Sequence, residues 1–89
     1  MELLKYKEKY EEYTYYLKGG KLVYHGLYKL WYSNGQLGYE ENYKDGELRG
    51  LCKEWSMDGK SSRECYFWEG IEYESEEAYN EAKVVNRSW

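Results

Sequence analysis

A mainly β domain, an antiparallel meander of hairpins capped by one C-terminal α-helix, is the fold this sequence predicts. Three observations carry that expectation. Glycine-bearing turn signals recur at Asn34-Gly35, Asp45-Gly46, Asp58-Gly59 and Glu69-Gly70, each followed by a strand-length run rich in aromatic residues. Asn-Gly and Asp-Gly are strong hairpin signals because tight turns need positive φ, which glycine adopts freely. The third observation is a repeat. Gly26, Leu27, Lys29, Trp31, Gly35, Glu40, Tyr43 and Gly46 recur 24 residues later, without a gap, as Gly50, Leu51, Lys53, Trp55, Gly59, Glu64, Phe67 and Gly70.

Taken in order, residues 1–25 hold a strand over 10–17 and a short one over 21–24. Gly20-Lys21-Leu22 parallels Gly46-Glu47-Leu48, so this segment contains part of an earlier copy. Residues 26–49 form the first whole unit, with strands at 27–32 and 36–43. Residues 50–73 form the second, with strands at 51–56, 61–68 and 71–73. A helix is expected over 75–86. Ser75 suits its N-cap, Glu76 and Glu77 suit the positive end of its dipole, and Ala78, Tyr79, Ala82 and Val85 make an apolar stripe. The whole, 1–89, is one domain, since a chain this short has room for one core.

If Asn34-Gly35 and Asp58-Gly59 are two-residue loops, cross-strand partners follow. Lys29 faces Glu40 and Lys53 faces Glu64, an opposite-charge pair in each unit that contributes roughly 0.2–1 kcal/mol, mainly to register. Trp31 covers Gly38, Trp55 covers Ser62, Leu30 meets Tyr39, Tyr32 meets Leu37 and Glu54 meets Arg63. Cys52 then stands opposite Cys65, within reach of a disulfide. A three-residue loop would shift these partners by one.

Composition narrows the partners. Thirteen tyrosines and four tryptophans dominate the aromatic fraction, and proline is absent. Residues 1–68 carry eleven basic and eleven acidic groups, so the net charge of −4 comes from the six glutamates after residue 68 against Lys83 and Arg87. No basic patch is present to neutralise phosphates, which argues against direct nucleic-acid binding. No apolar run reaches membrane-spanning length, and an acidic chain meets anionic lipid poorly, which argues against a membrane role. The opening residues turn charged at once and lack a secretion signal, so a cytoplasmic protein with reduced thiols is expected.

The unit Gly-x-x-Lys-x-Trp-x-x-x-Gly-x-x-x-x-Glu-x-x-aromatic-x-x-Gly resembles the MORN repeat, and more closely its bacterial variant in antitoxin-like proteins of toxin–antitoxin modules. The positions are Gly26, Trp31, Gly35, Glu40, Tyr43 and Gly46, then Gly50, Trp55, Gly59, Glu64, Phe67 and Gly70. The run Trp68–Glu77 is similar to the hairpin-then-helix ending of small phage and bacterial proteins of this kind. The resemblance implies a β-meander scaffold for binding, usually of proteins, and no single activity. With only two clean units, it implies a compact half-open sheet closed by the helix.

Nothing in the sequence points to catalysis or to a cofactor. His25, the one histidine, sits where the next unit has Arg49, and a polar surface role explains both. Glu40 and Glu64 could be paired carboxylates, but each has a facing lysine. No glycine-rich phosphate loop and no metal-ligand spacing occurs. The expectation is a non-enzymatic module that neutralises a protein partner by steric occupation, either a toxin or, as a phage-encoded inhibitor of anti-CRISPR type, a defence enzyme. Tyr28, Leu30, Tyr32 and Tyr39 share one face of the first hairpin and would anchor that partner, with Glu69, Glu72 and Glu74 steering it. A homodimer through the same face fits as well. The alternative is a small-ligand binder in which a dimer sandwiches a planar, nucleotide-like molecule between aromatic sheet faces.

Overall fold

The computed structural model describes residues 2–87, with side chains through Val84. Eight strands and one helix follow one another: β1 (Leu4–Lys7), β2 (Glu11–Lys18), β3 (Lys21–Trp31), β4 (Leu37–Lys44), β5 (Glu47–Leu48), β6 (Gly50–Trp55), β7 (Ser62–Trp68), β8 (Ile71–Tyr73) and α1 (Glu76–Arg87). All pairings are antiparallel. The sheet order is β1-β2-β3-β4-β6-β7-β8, with β5 pairing with β4. The mainly β meander with a C-terminal helix is therefore the fold. Strand β1 was not anticipated, and 21–24 and 27–32 are parts of one strand, β3.

Two classes of connection alternate along the meander. Gly19-Gly20, Asp45-Gly46 and Glu69-Gly70 are two-residue turns with positive φ at both positions, closed by Lys18–Lys21, Lys44–Glu47 and Trp68–Ile71. The opposite end carries wider loops, and there two expectations fail. Asn34-Gly35 is not a two-residue loop: Gly35 N–H donates to the Tyr32 carbonyl and Tyr32 N–H to the Gln36 carbonyl, leaving 33–35 as the loop. This is the three-residue hairpin that ends in a left-handed glycine. Asp58-Gly59 lies in a four-residue loop, 57–60, closed by Ser56 and Ser61.

The first loop moves the register by one, and a bulge moves it back. Trp31 pairs with Leu37 rather than Gly38, whereas Leu30 pairs with Tyr39 and Lys29 with Glu40. Gly38 is the unpaired extra residue. The ring above it belongs to Tyr32, not Trp31, and Tyr32 does not pair with Leu37. A Cβ on Gly38 would lie 2.8 Å from Cε2 of Tyr32, whose hydroxyl donates to the Trp55 carbonyl. Glycine is required here by ring contact. In the second unit the even loop keeps every expected partner, including Cys52–Cys65 and Trp55–Ser62.

A second irregularity recurs. Thr14 stands opposite His25, Gly26 and Leu27, between the pairs Tyr13–Tyr28 and Tyr15–Tyr24. Asn42 stands opposite Arg49, Gly50 and Leu51, accepting from Arg49 N–H at 2.8 Å and donating through Nδ2 to the Leu51 carbonyl at 3.0 Å. Gly26 and Gly50 have φ of 108° and 85°. Their 24-residue spacing is thus a repeat of the same bulge, and it divides β5 from β6.

The pleat sends alternate residues to opposite faces, and cross-strand partners share one. One face carries Trp31, Trp55, Leu27, Leu51 and Tyr66, together with a row of alternating charge. That row runs Lys7, Glu12, Lys29, Glu40, Lys53, Glu64 along direct partners of β1, β2, β3, β4, β6 and β7. The expected pairs are present, Lys29–Glu40 and Lys53–Glu64 each at 3.9 Å. Helix α1 lies on this face at its β7–β8 end, with Tyr79 stacked on Tyr66 at 5.3 Å and edge-on to Trp68. Its N-cap is Ser75, whose Oγ accepts from Ala78 N–H at 3.1 Å. The side chain of Val85 lies outside the described residues. One layer plus a corner helix makes a plate of 45 × 40 × 14 Å. Its radius of gyration is 14.8 Å, against about 12 Å for a compact chain of this length. The sheet is open and flat, and the helix does not close it.

Gly38→Ala is expected to lower stability by about 1–3 kcal/mol, the usual cost of overpacking. Urea unfolding measures this, and Tyr32→Ala in the same chain should remove most of the added penalty.

Candidate ligand-binding face

The face away from α1 is built from β1–β4 by simple alternation. Successive partners Tyr6, Tyr13 and Tyr28 come from three neighbouring strands. Their rings stack in a row, Tyr6–Tyr13 at 4.9 Å and 20°, Tyr13–Tyr28 at 5.8 Å and 12°. A second rank crosses it edge-on. Tyr24 lies 4.9 Å from Tyr13, 5.3 Å from Tyr28 and 5.0 Å from Tyr43, and Tyr15 lies 5.6 Å from Tyr13. Stacked and edge-to-face rings at such spacing each contribute about 0.5–1.5 kcal/mol beyond area burial. Six tyrosines therefore form one contact cluster on a face that no other element covers. Leu17 and Leu22 continue it to the β2–β3 turn, 57% and 44% exposed.

Carboxylates, and no strand lysine or arginine, accompany these rings on β1–β4. Lys5, Lys7, Lys18, Lys21, Lys29 and Lys44 all alternate to the other face. The Tyr28 hydroxyl donates to Glu11, and burial followed by that bond pushes its ionisation well up. Glu41, direct partner of Tyr28, ends the stacked row. No hydrogen-bond donor and no cation reaches it among the described residues. Burial, then the Glu54 carboxylate, raises its pKa above the ordinary value. Every strand glutamate of the helix-side face has a lysine; Glu41 has none.

Toward the wide loops the same face dips into an open depression of about 350 Å³. Tyr32, Tyr39, Glu54 and Arg63 line it with Ser56, Ser61 and Ser62, and the Trp55 carbonyl accepts there from the Tyr32 hydroxyl. The Tyr39 hydroxyl donates to Glu54 at 2.7 Å, which with burial pushes its pKa up to about 12. Arg63 bridges Glu54 at 3.3 Å and Glu72 at 3.5 Å.

The anticipated residues thus divide. Tyr28, Leu30 and Tyr39 share the open face, and Tyr32 and Tyr39 line the depression. Glu69, Glu72 and Glu74 are all exposed, in or beside β8. Glu69 is a turn residue with φ of 52°, Glu72 reaches Arg63 at 3.5 Å, and Glu74 lies just beyond β8. Tyr6, Tyr13, Tyr15, Tyr24, Tyr43, Glu11 and Glu41 were not singled out from sequence. The period-two spacing of Tyr13, Tyr15 and Leu17 was the available signal.

Cys52, Cys65 and His25 each sit in a packed or hydrogen-bonded setting. Cys52 and Cys65 are 4% and 1% exposed and unbridged, with Sγ atoms 2.7 Å apart in a thiol–thiol contact. Burial holds both thiols in the neutral form. His25 lies on the helix-side face, accepting from Asp45 N–H and packing edge-on against Tyr16. Among the described residues no group of three or more His, Cys, Asp or Glu is arranged to hold a metal, and no helix is long and apolar enough to cross a membrane.

No protein-family model, no curated protein and no solved structure matches the chain.

Glu41 supplies a test of this electrostatic picture. Its folded-state pKa lies above the unfolded one, so its contribution is favourable below the unfolded value and is lost as pH rises through the folded value. Glu41→Gln should therefore raise the urea midpoint at pH 7, and the difference should shrink towards zero at pH 4.

Proposed function

We propose that this protein is a non-enzymatic binding module whose working surface is the open tyrosine face of β1–β4, and that the face takes up a small planar ligand. The observation that carries this is the uncovered cluster of six tyrosine rings. A single sheet with a helix at one corner leaves this aromatic surface facing water, and such exposed patches mark binding sites. Tyrosine suits the task, because its ring stacks on a planar molecule while its hydroxyl stays hydrogen-bonded. The adjoining 350 Å³ depression is large enough for a small planar fragment.

The reading of the repeat as MORN-like, with the scaffold role that resemblance implies, belongs to the same proposal. Two copies meeting face to face would bring Glu11 and Glu41 from both sides together without a base. A pair of copies accordingly closes over a ligand rather than forming without one. Steric occupation of a toxin or a defence enzyme draws less support, since Glu72, one of the glutamates expected to steer such a partner, is engaged by Arg63.

Proton–carbon spectra of the tyrosine rings, recorded against soluble planar heteroaromatics of positive, zero and negative charge, test the proposal. Shifts confined to tyrosines of β1–β4, lost in Tyr13→Leu/Tyr28→Leu, are expected. Shifts at Tyr66 and Tyr79 alone, or at no ring for any probe, would contradict it and leave the protein-inhibitor reading standing.

A further inference from the structure

We infer that the ligand of the tyrosine face is a small planar organic cation, free in solution, and that Glu41 is its counter-ion. The inference rests on the proposed ligand-binding role of this face and names the chemistry of what binds there.

The argument begins with how the sheet treats its charges. Along the helix-side row every glutamate has a lysine as direct cross-strand partner, and Glu12 is approached by two, Lys5 at 3.7 Å and Lys7 at 3.9 Å. On the tyrosine face Glu11 is met by the Tyr28 hydroxyl and Glu54 by Tyr39 and Arg63. Glu41 lies between these two on the neighbouring strand, half-buried, with neither. Its direct partner across the ladder is Tyr28, and Tyr39 and Tyr43 flank it on β4. A carboxylate placed among three rings loses hydration that nothing in the chain replaces.

A cation answers both features at once. The faces of tyrosine rings carry negative potential and attract cations, an interaction strengthened where water is excluded. Glu41 then supplies the opposite charge that its surroundings lack. A planar cation adds stacking on the exposed end of the cluster, and a delocalised or quaternary charge sheds its hydration more readily than a primary ammonium. An anionic ligand would meet Glu11 and Glu41 with no strand lysine or arginine on β1–β4 to receive it, and a neutral one would leave Glu41 uncompensated. The same charge count excludes a second copy of this face as the occupant.

Three molecules of nearly equal shape decide the matter: 1-methylnicotinamide, which is cationic, nicotinamide, which is neutral, and nicotinate, which is anionic at pH 7. Titrations are followed by tyrosine ring shifts and by calorimetry on the full chain. The cation should bind at least about tenfold more tightly than nicotinamide, with nicotinate weakest. Glu41→Gln should reduce the cation to the affinity of nicotinamide while leaving nicotinamide binding unchanged. Glu74→Gln, at an exposed position beyond β8, should alter neither. Binding of the cation should also weaken as pH falls and Glu41 takes up its proton. Equal affinity for all three, or a preference that survives Glu41→Gln, would overturn the counter-ion assignment while leaving the ligand-binding role intact. Absence of binding by all three at the tyrosine rings would remove both.

Discussion

A row of six alternating charges, Lys7, Glu12, Lys29, Glu40, Lys53 and Glu64, crosses the sheet on direct cross-strand partners, and the rest of the structure depends on it. Each contact is worth only roughly 0.2–1 kcal/mol. Its effect is on register. A slip of one residue exchanges the two faces of a strand, so the row that fixes Lys29 opposite Glu40 also fixes Tyr28 opposite Glu41 and Tyr13 opposite Tyr28. On β1–β4 the strand lysines are confined to one face and six tyrosines gather on the other. The aromatic, acid-bearing surface is the reverse side of the charge row.

A single layer sets the second condition. With no opposing sheet, β1–β4 must stabilise themselves through lateral contacts within each face. Tyrosine serves this well, since neighbouring rings shield one another while hydroxyls reach Glu11, Glu54 or Asp45 at the periphery. Only Cys52 and Cys65 are buried among the apolar side chains of the described residues, and they sit in the unit whose register is unbroken. The bulges at Gly26, Gly38 and Gly50 adjust the strands so that the rings still meet. Stability and the open surface thus come from the same side chains, and Glu41, held among them without a cation, is a group whose placement works against folding.

Much of the fold was legible in the sequence because its signals are local. Two-residue turns at Asp45-Gly46 and Glu69-Gly70, the Ser75 cap and the pairs Lys29–Glu40 and Lys53–Glu64 each follow from residues close in the chain. The errors arose where a loop and a bulge compensate. Residues 33–35 add one residue and Gly38 removes its effect, so Lys29–Glu40 survives although Trp31 changes partner from Gly38 to Leu37. The proposed binding face was legible only at Tyr28, Leu30 and Tyr39. Tyr6 lies on an unforeseen edge strand, and Tyr13 and Tyr24 join the cluster across the bulge at Gly26, which no local pattern announces. Glu41 was hidden for another reason: its lack of a partner becomes visible only once every other charge has been placed.

Solvent contact of the tyrosine rings in the unliganded protein tests the account most directly. With a soluble paramagnetic agent added, ring resonances of Tyr6, Tyr13, Tyr15, Tyr24, Tyr28 and Tyr43 should broaden more than those of Tyr66 and Tyr79, which α1 covers. Protection of the six rings equal to that of Tyr66 and Tyr79 would mean the face is already sealed, by another copy or another part of the chain, and would contradict the open binding surface.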